Sequence, residues 1–459
     1  MWHGRRMSNR PVAAIILAAG QGTRMKSSLH KVLHPLAGRP MLLHLLAAVD
    51  ILAPAKKVVV VGTRREQVEA AVAGHDVAVA VQAEQRGTAD AVLAAKDALA
   101  GFDGDVLILY GDVPLVETAT MRAMLDALAT ATVVVLGFRP ADAGAYGRVI
   151  ADAGGAIERM VEYKDANAAT RAVTLCNSGL MAVRSADLWP LLARVGNSNA
   201  ADEYYLVDVA TMAAEDARGV TGHNGARVIE TDADEVAGVN SRGELAAVEA
   251  NWQAKRRAAM MAAGVTLAAA DTVWFAYDTQ VAADVTIEPN VVFGPGVTVA
   301  SGATIRAFSH IAGAAIGPEA EVGPFARLRP GAELGPKSKV GNFVEVKQAR
   351  LRTGAKVSHL SYIGDADIGE AANIGAGTIT CNYDGFFKYR TTIGAGAFIG
   401  SNSAIVAPVT IGAGAIVGAG SVVTADVGPD ALVLVRPPQT EKPGWASRFR
   451  KVMAARKNA

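Results

Sequence analysis

From Val12 to about residue 239 the chain alternates two hydrophobic patterns. Runs such as "AAIILAA", "KVVVVG", "DVLILYGD" and "ATVVVLGF" are nearly unbroken and rich in β-branched residues, as strands covered on both faces should be. Between them stand segments such as "PMLLHLLAAVDILA" and "TADAVLAAKDALA", of helical spacing and of the length of a crossover helix. This alternation predicts a doubly wound α/β sheet, a class that binds ligands beyond the carboxyl ends of its strands. Residues 241–263, "SRGELAAVEANWQAKRRAAMMAA", have no β-branched run and carry charges at helical spacing. They predict one long helix acting as a spacer.

After Gly264 the period becomes six. "VAADVT", "IEPNVV", "FGPGVT" and "VASGAT" are followed by many like them, down to "IGAGAI" and "VGAGSV". An aliphatic residue opens each unit and a small one recurs four places later, the signature of a hexapeptide β-helix. The aliphatic side chain points into the coil and the small residue fits a tight corner. The predicted organisation is a disordered tail over residues 1–11, an α/β domain over 12–242, a helical linker over 243–263 and a β-helix with a C-terminal tail over 264–459. Within the β-helix, "VKQAR" and "IGDAD" are one residue short, and "TCNYDGFFKYRTT" breaks the register between two clean repeats. Such an insertion predicts a loop thrown out from one edge of the solenoid, and loops on rigid scaffolds are where function concentrates.

Composition narrows the function classes. The 459 residues carry 45 basic and 44 acidic side chains, a net charge of +1, which provides no field for gripping nucleic acid or an anionic membrane. Any anion site must be local. The two cysteines, Cys176 and Cys381, suggest neither a disulfide framework nor a thiolate zinc site, and fit a reducing compartment. The basic start is followed by only about seven apolar residues, too few for a span. A cytoplasmic protein without membrane insertion is expected. The closing "WASRFRKVMAARKNA" reads as a short helix with solvated charge.

The stretch "AAIILAAGQGTRMKSS" passes from a strand into glycines and then charge, as phosphate-binding loops do. Met25 stands where both the P-loop and the dinucleotide fingerprint need their last glycine, so neither pattern applies. Gly20 and Gly22 still free the main chain to close on a phosphate or a flat base, and Arg24 and Lys31 can neutralise a triphosphate. In "LILYGDVP" a strand ends at Tyr110, Gly111 gives room, and Asp112 stands at the carboxyl edge, where a magnesium ligand would be needed.

"LAAGQGTRM" with "KVLHPLAGRPM" resembles the signature of nucleoside triphosphate:sugar-1-phosphate nucleotidyltransferases. The ordered set "QAEQRGTADAV", "YGDVPL", "AYGRVI", "VEYKDA", "NSGLMAV" and "EVAGVNSR" narrows the resemblance to the bifunctional N-acetylglucosamine-1-phosphate uridylyltransferase and glucosamine-1-phosphate acetyltransferase family. "ARLRPGAEL", "VGNFVEVK", "SHLSYIGDADIGEAANIGAGTITCNYDG" and "RPPQTEKPGW" extend it over about residues 12–446. "NSG" departs slightly from the family's usual Asn-Thr-Gly but keeps a hydroxyl.

The resemblance implies a Rossmann-like nucleotidyltransferase domain, a helical linker and a left-handed parallel β-helix. It implies acetyl transfer from acetyl-CoA to glucosamine 1-phosphate, then uridylyl transfer from UTP to the product, giving a precursor of bacterial cell-envelope polysaccharide. Leu17, Ala18, Ala19, Gly20, Gln82, Gly87 and Thr88 would hold the uridine end, with Arg24 and Lys31 as catalytic cations on the phosphates. Gly147, Glu162 and Asn177 would hold N-acetylglucosamine. Asp112 and Asn240 would bind Mg²⁺, with Tyr110 and Gly111 along the same edge. In the second half His359 would be the general base. Arg329, Lys347, Tyr362, Asn373 and Lys388 would surround glucosamine 1-phosphate, and Ala376, Asn382, Tyr383, Ser401, Ala419 and Arg436 would face acetyl-CoA. A homotrimer is implied, because in hexapeptide acetyltransferases the site lies between neighbouring subunits.

Other readings explain less. A zinc carbonic anhydrase on hexapeptide coils needs three histidines, and the repeat region has only His310 and His359,. A single-function nucleotidyltransferase with an oligomerising β-helix leaves "CNYDG" and Arg436 unexplained. A non-catalytic regulator of the same two-part plan is opposed by the intact glycine loop, Asp112, Lys31 and the His359 neighbourhood.

Overall fold

The computed structural model describes residues 10–62, 64–218 and 224–458, so the expected tail falls outside them except for its last two residues. Those two are tied down. Arg10 donates to Asp103 at 2.8 Å, and the Pro11 carbonyl accepts from the Asp105 amide at 2.9 Å. The chain divides into two compact units, residues 10–255 and 256–458 among those described.

The first unit is built on a nine-stranded sheet. Its main elements are β1 (Val12–Ala18), α1 (Met41–Asp50), β2 (Lys56–Val61), β3 (Ala78–Val81), α2 (Thr88–Leu93), β4 (Asp105–Tyr110), β5 (Ala131–Phe138), β6 (Cys176–Arg184), α3 (Val207–Asp216), β7 (Asn224–Thr231) and α4 (Arg242–Ala262). The strands lie in the order β7-β5-β6-β4-β1-β2-β3. β1, β2, β3 and β4 are mutually parallel, and β7 is parallel to β5. β6 runs antiparallel to both β4 and β5, so the doubly wound sheet is mixed. Side chains of β1 alternate between two apolar clusters: Ala13, Ile15 and Leu17 enter one, Ala14, Ile16 and Ala18 the other. That two-sided burial is why its sequence is unbroken. The helix expected over residues 88–100 stops at Leu93, and a 3₁₀ turn at Asp97–Leu99 follows. Both Ala95 and Leu99 are fully buried all the same, on the face that Ala91 and Val92 also bury,.

Because β1 and β4 are adjacent and parallel, with Leu17 opposite Tyr110, their carboxyl ends open at one edge. The glycine loop and Asp112 both lie just beyond it. The first half of α4 packs Val248 and Trp252 onto Met25, Leu36, Met41 and Val239. It also bonds the loop chain directly: Glu249 accepts from the Ala37 amide at 2.7 Å, and Arg242 donates to the Met25 carbonyl at 3.3 Å. The predicted spacer therefore braces the glycine loop as well.

The second unit is a left-handed parallel β-helix of hexapeptide repeats. Strands of two to four residues stack in three parallel sheets, one of ten strands and two of eight. Inward aliphatic residues pair coil on coil, as in Val322, Val340, Val357, Ile374, Ile399 and Val417, all nearly inaccessible. The three faces differ outward. One carries Glu333, Arg350 and Asp367 in register, with Arg350 ion-paired to Glu333 at 2.6 Å and Arg352 to Asp367 at 2.8 Å, partly solvated pairs of small energetic value. The corner between the ten-stranded face and the face of His310 carries Phe308, Phe325 and Phe343, with ring centroids 4.9 and 5.2 Å apart. Each adopts a left-handed backbone with φ of 54–60°, a conformation that costs about 1–2 kcal/mol for a residue with a Cβ. Leu360 continues the column at φ 52°, and all four side chains are exposed.

The register-breaking insertion forms a loop between the strands Ile379–Cys381 and Thr391–Ile393, closed by a bridge between Tyr383 and Lys388. Phe386, at its tip, is 85% exposed. The tail forms α5 (Trp445–Lys457), exposed along its whole length, with Trp445 stacked on Phe449. Among the described residues, no helix is long and apolar enough to cross a membrane.

Candidate functional site

In the first unit a cleft of about 430 Å³ opens beyond β1 and β4. Leu17, Ala18, Ala19, Gly20, Lys31, Gln82, Gly87, Thr88, Tyr110, Asp112 and Asn240 line it, a size typical of small-molecule sites. Lys31 sits at the start of a 3₁₀ turn, Lys31–Leu33, and its chain runs over Gly22. A Cβ on Gly22 would stand 2.5 Å from that of Lys31, and its φ is +62°, so both space and backbone require glycine there. The Lys31 ammonium donates to Asp112 and, at 3.0 Å, to the amide oxygen of Asn240. Gly111 lies beneath the edge, its amide donating to the Leu17 carbonyl at 2.9 Å. Arg24 is not brought into the cleft: it is exposed in the turn Thr23–Met25.

A second cavity of about 190 Å³ shares Thr88, Tyr110 and Glu203 with the cleft and adds Glu162, Asn177, Gly179 and Tyr205. Gly147 closes its wall: its carbonyl accepts from the Asn177 amide at 2.9 Å, and a Cβ there would stand 3.3 Å from the Glu162 carboxylate. Burial raises the Glu162 carboxyl above the usual carboxylate range, helped by Asp165, Asp208 and Glu203. The same two causes, burial first, push the Tyr205 phenol up to about 12, and burial raises that of Tyr110.

Stability follows from the sign of the Glu162 shift. A carboxyl whose folded pKa is raised binds its proton more tightly in the folded state, so it weakens folding as pH rises above the unfolded value. Glu162→Gln is therefore expected to melt higher than the parent, by a margin that grows from about pH 4 upward and levels off above the folded pKa. Thermal midpoints of both proteins across that range check this; a margin independent of pH contradicts it.

Gln85, Glu203 and Tyr205 line these cavities without having been singled out in the sequence. Gln85 stands three residues before Thr88 in "QAEQRGTADAV" and bonds the Ala19 carbonyl. Its signal was proximity to that motif. Glu203 and Tyr205 lie in a segment with no pattern of its own.

In the second unit His359 ends the strand Lys356–His359, exposed at the corner just before Leu360. Its Nδ1 lies 2.6 Å from the amide oxygen of Asn342, its register partner on the preceding coil. An amide oxygen only accepts, so Nδ1–H donates here, the tautomer in which Nε2 is the acceptor nitrogen of the neutral ring. The corner column continues upward: the His359 carbonyl accepts from Gly377, that of Ala376 from Asn402, that of Ser401 from Gly420, and that of Ala419 from the Arg436 guanidinium at 2.6 Å. Ala376, Ser401, Ala419 and Arg436 thus form one line above His359.

Arg329, Lys347 and Tyr362 lie on the adjoining face, and Asn373 on the ten-stranded one. Arg329 is held by Glu345 at 2.8 Å. Lys388, on the inserted loop, stands beside Lys347 and holds its ammonium below the usual lysine range. Two cations pressed together in this way form a receptor for a multiply charged anion. Asn382 is nearly buried and donates to Asp365, so it anchors the loop, whereas Tyr383 is 61% exposed.

Residues 14–195 match the family model of the MobA-like NTP transferase domain, and residues 390–425 match that of the bacterial transferase hexapeptide (six repeats). The bifunctional protein GlmU of Rhizorhabdus wittichii is 67% identical over 99% of this chain and 100% of its own length. Those of Sphingopyxis alaskensis and Novosphingobium aromaticivorans are 64% and 62% identical, over 98% and 97% of this chain and 99% and 98% of their own. At that identity, across both units and nearly end to end, the chain belongs to the bifunctional GlmU family.

Proposed function

We infer that the chain is a bifunctional enzyme that acetylates glucosamine 1-phosphate with acetyl-CoA and then joins the product to UTP, releasing pyrophosphate and UDP-N-acetylglucosamine. The observation that carries this reading is that family likeness spans the whole chain while each unit holds a separate constellation suited to one of the two steps. A β-helix that only oligomerised would have no use for the Asn342–His359 pair or the Lys347–Lys388 juxtaposition.

For acetyl transfer, the sugar amine attacks the thioester carbonyl carbon, the C–N bond forms, and the C–S bond breaks to release the CoA thiol. Nε2 of His359 takes the amine proton, with Asn342 fixing the tautomer,. Arg329, Lys347 and Lys388 bind the sugar phosphate, and Tyr362 and Asn373 flank it. The line Ala376, Ser401, Ala419 and Arg436 follows the CoA arm, with Asn382 and Tyr383 on its loop side.

For uridylyl transfer, an oxygen of the sugar 1-phosphate attacks the α-phosphorus of UTP in line and pyrophosphate departs. That oxygen is already anionic, so positioning and charge neutralisation do the catalytic work. Leu17 to Gly20, Gln82, Gly87 and Thr88 hold the nucleoside, while Gly147, Glu162 and Asn177 hold the sugar. Asp112 and Asn240 offer hard oxygen donors of the kind Mg²⁺ takes, and would hold it by one ligand each. The bound ion would supply charge neutralisation to the phosphates.

A homotrimer in the cytoplasm completes the proposal. The acetyl-transfer residues lie on an open corner, and the exposed column of Phe308, Phe325, Phe343 and Leu360 approaches His359 along it. Neighbouring copies meeting along this corner cover the column and close the site.

A single assay tests the two activities. Purified protein with glucosamine 1-phosphate, acetyl-CoA, UTP and Mg²⁺ should release free thiol and pyrophosphate, with pyrophosphate dependent on acetyl-CoA. Pyrophosphate from supplied N-acetylglucosamine 1-phosphate without any thiol would leave the β-helix as a scaffold.

A further inference from the structure

The two oxygen donors that the proposed function assigns to Mg²⁺ already share a cation. The Lys31 ammonium lies within hydrogen-bond reach of both the Asp112 carboxylate and the Asn240 amide oxygen. This is no surface pair. The Lys31 and Asp112 side chains are only 11% and 15% exposed. The Lys31 stem is fixed by its passage over Gly22, and its Nζ stands 3.9 Å from where a Cβ of Gly20 would be. The main chain at Asn240 is fixed too, since its backbone N–H donates to the Glu244 carboxylate on α4 at 2.7 Å. The ammonium therefore cannot drift aside without leaving both oxygens.

We propose that Lys31 acts as a resident cation: in the nucleotide-free protein its ammonium holds the position between Asp112 and Asn240, and it must vacate that position for a divalent metal to enter. This rests on the reading of Asp112 and Asn240 as the metal pair. In the free state the ammonium balances the charge of Asp112, so the pair offers a second cation nothing but repulsion. A divalent ion at this edge would also have only two protein ligands and would keep most of its water. A triphosphate changes both conditions. Its oxygens complete the metal's coordination, and their negative charge takes up the displaced ammonium. Metal binding thus becomes conditional on nucleotide, and the lysine moves between the two states as a counter-cation.

The test is a Mn²⁺ titration of the full chain, read by the electron paramagnetic resonance signal of free Mn²⁺, with and without UTP. Without nucleotide, Lys31→Met should bind Mn²⁺ more tightly than the parent, by roughly tenfold or more, because a neutral methionine neither occupies the oxygens nor repels the ion. UTP should strengthen Mn²⁺ binding far more in the parent than in the variant. Asp112→Asn added to Lys31→Met should remove the gain. Should Lys31→Met fold poorly by circular dichroism, Lys31→Gln carries the same expectation.

An equal or weaker Mn²⁺ affinity of the neutral variants without UTP overturns the inference, as does a gain that survives Asp112→Asn. If the parent binds Mn²⁺ tightly only with UTP and the variants show no gain, the metal pair stands and the resident-cation role alone falls. If no protein binds Mn²⁺ even with UTP, the metal assignment fails and takes this inference with it.

Discussion

Replacing His359 by alanine should lower acetyl transfer by about two to four orders of magnitude, the range that a positioned general base contributes. Pyrophosphate release from supplied N-acetylglucosamine 1-phosphate should stay at the parent rate. The loss is expected because Nε2 is the free basic nitrogen at the corner, its tautomer set by Asn342 on the coil below. The sparing is expected because His359 stands on the β-helix, while every residue lining the nucleotide cleft belongs to the first unit. His359 is also exposed and outside the column of inward aliphatic residues, so its removal opens no cavity. Thiol and pyrophosphate measured separately on one preparation decide the matter. A variant that keeps its fold and loses both activities contradicts two independent sites.

Asp112→Ala should do the reverse. Uridylyl transfer is expected to fall by about three orders of magnitude, on the order of 4 kcal/mol in the barrier, with thiol release unchanged. Asp112 contributes the carboxylate that lies against Lys31 in the cleft, with Asn240 beside them. Removing it takes away the charge that would hold a divalent ion and leaves a largely buried ammonium without its counter-charge,. A change confined to KM, with kcat intact, would show instead that Asp112 only helps to seat the nucleotide.

Much of this was legible in the chain before folding. The buried strands were, because two-sided burial leaves no polar position. So was the β-helix, because its coil demands an aliphatic residue every six places. The direction of β6 was not: "NSGLMAV" presents the same alternation whichever way it runs, and only its pairing with β4 and β5 sets it antiparallel. The early end of α2 was hidden because Ala91, Val92, Ala95 and Leu99 keep helical spacing straight through the turn.

At the sites, residues from compact motifs lie close together, Lys31 beside Asp112 across the glycine loop among them. Arg24 stays exposed in the short 3₁₀ turn Thr23–Met25, outside the lining of the cleft, while Lys31, seven places on, doubles back into it. Glu203 and Tyr205 were missed because they reach the second cavity from a stretch without periodicity. What they contribute is visible only once Glu162 is seen to share their neighbourhood. The alignment of Ala376, Ser401 and Ala419 above His359 was likewise hidden, because the inserted loop stretches one step of an otherwise regular column.

That column is regular because equivalent corners recur 17 or 18 residues apart, each coil closing on itself before the next begins. A lineage could therefore lengthen or shorten this half of the chain by duplicating or deleting one whole coil in frame. The change would move the end of the solenoid by about 4.8 Å and leave every remaining corner in line. A single-codon change has that freedom only at a corner, as in the coils that are one residue short, since within a strand it would turn the aliphatic side chains of its coil toward water,.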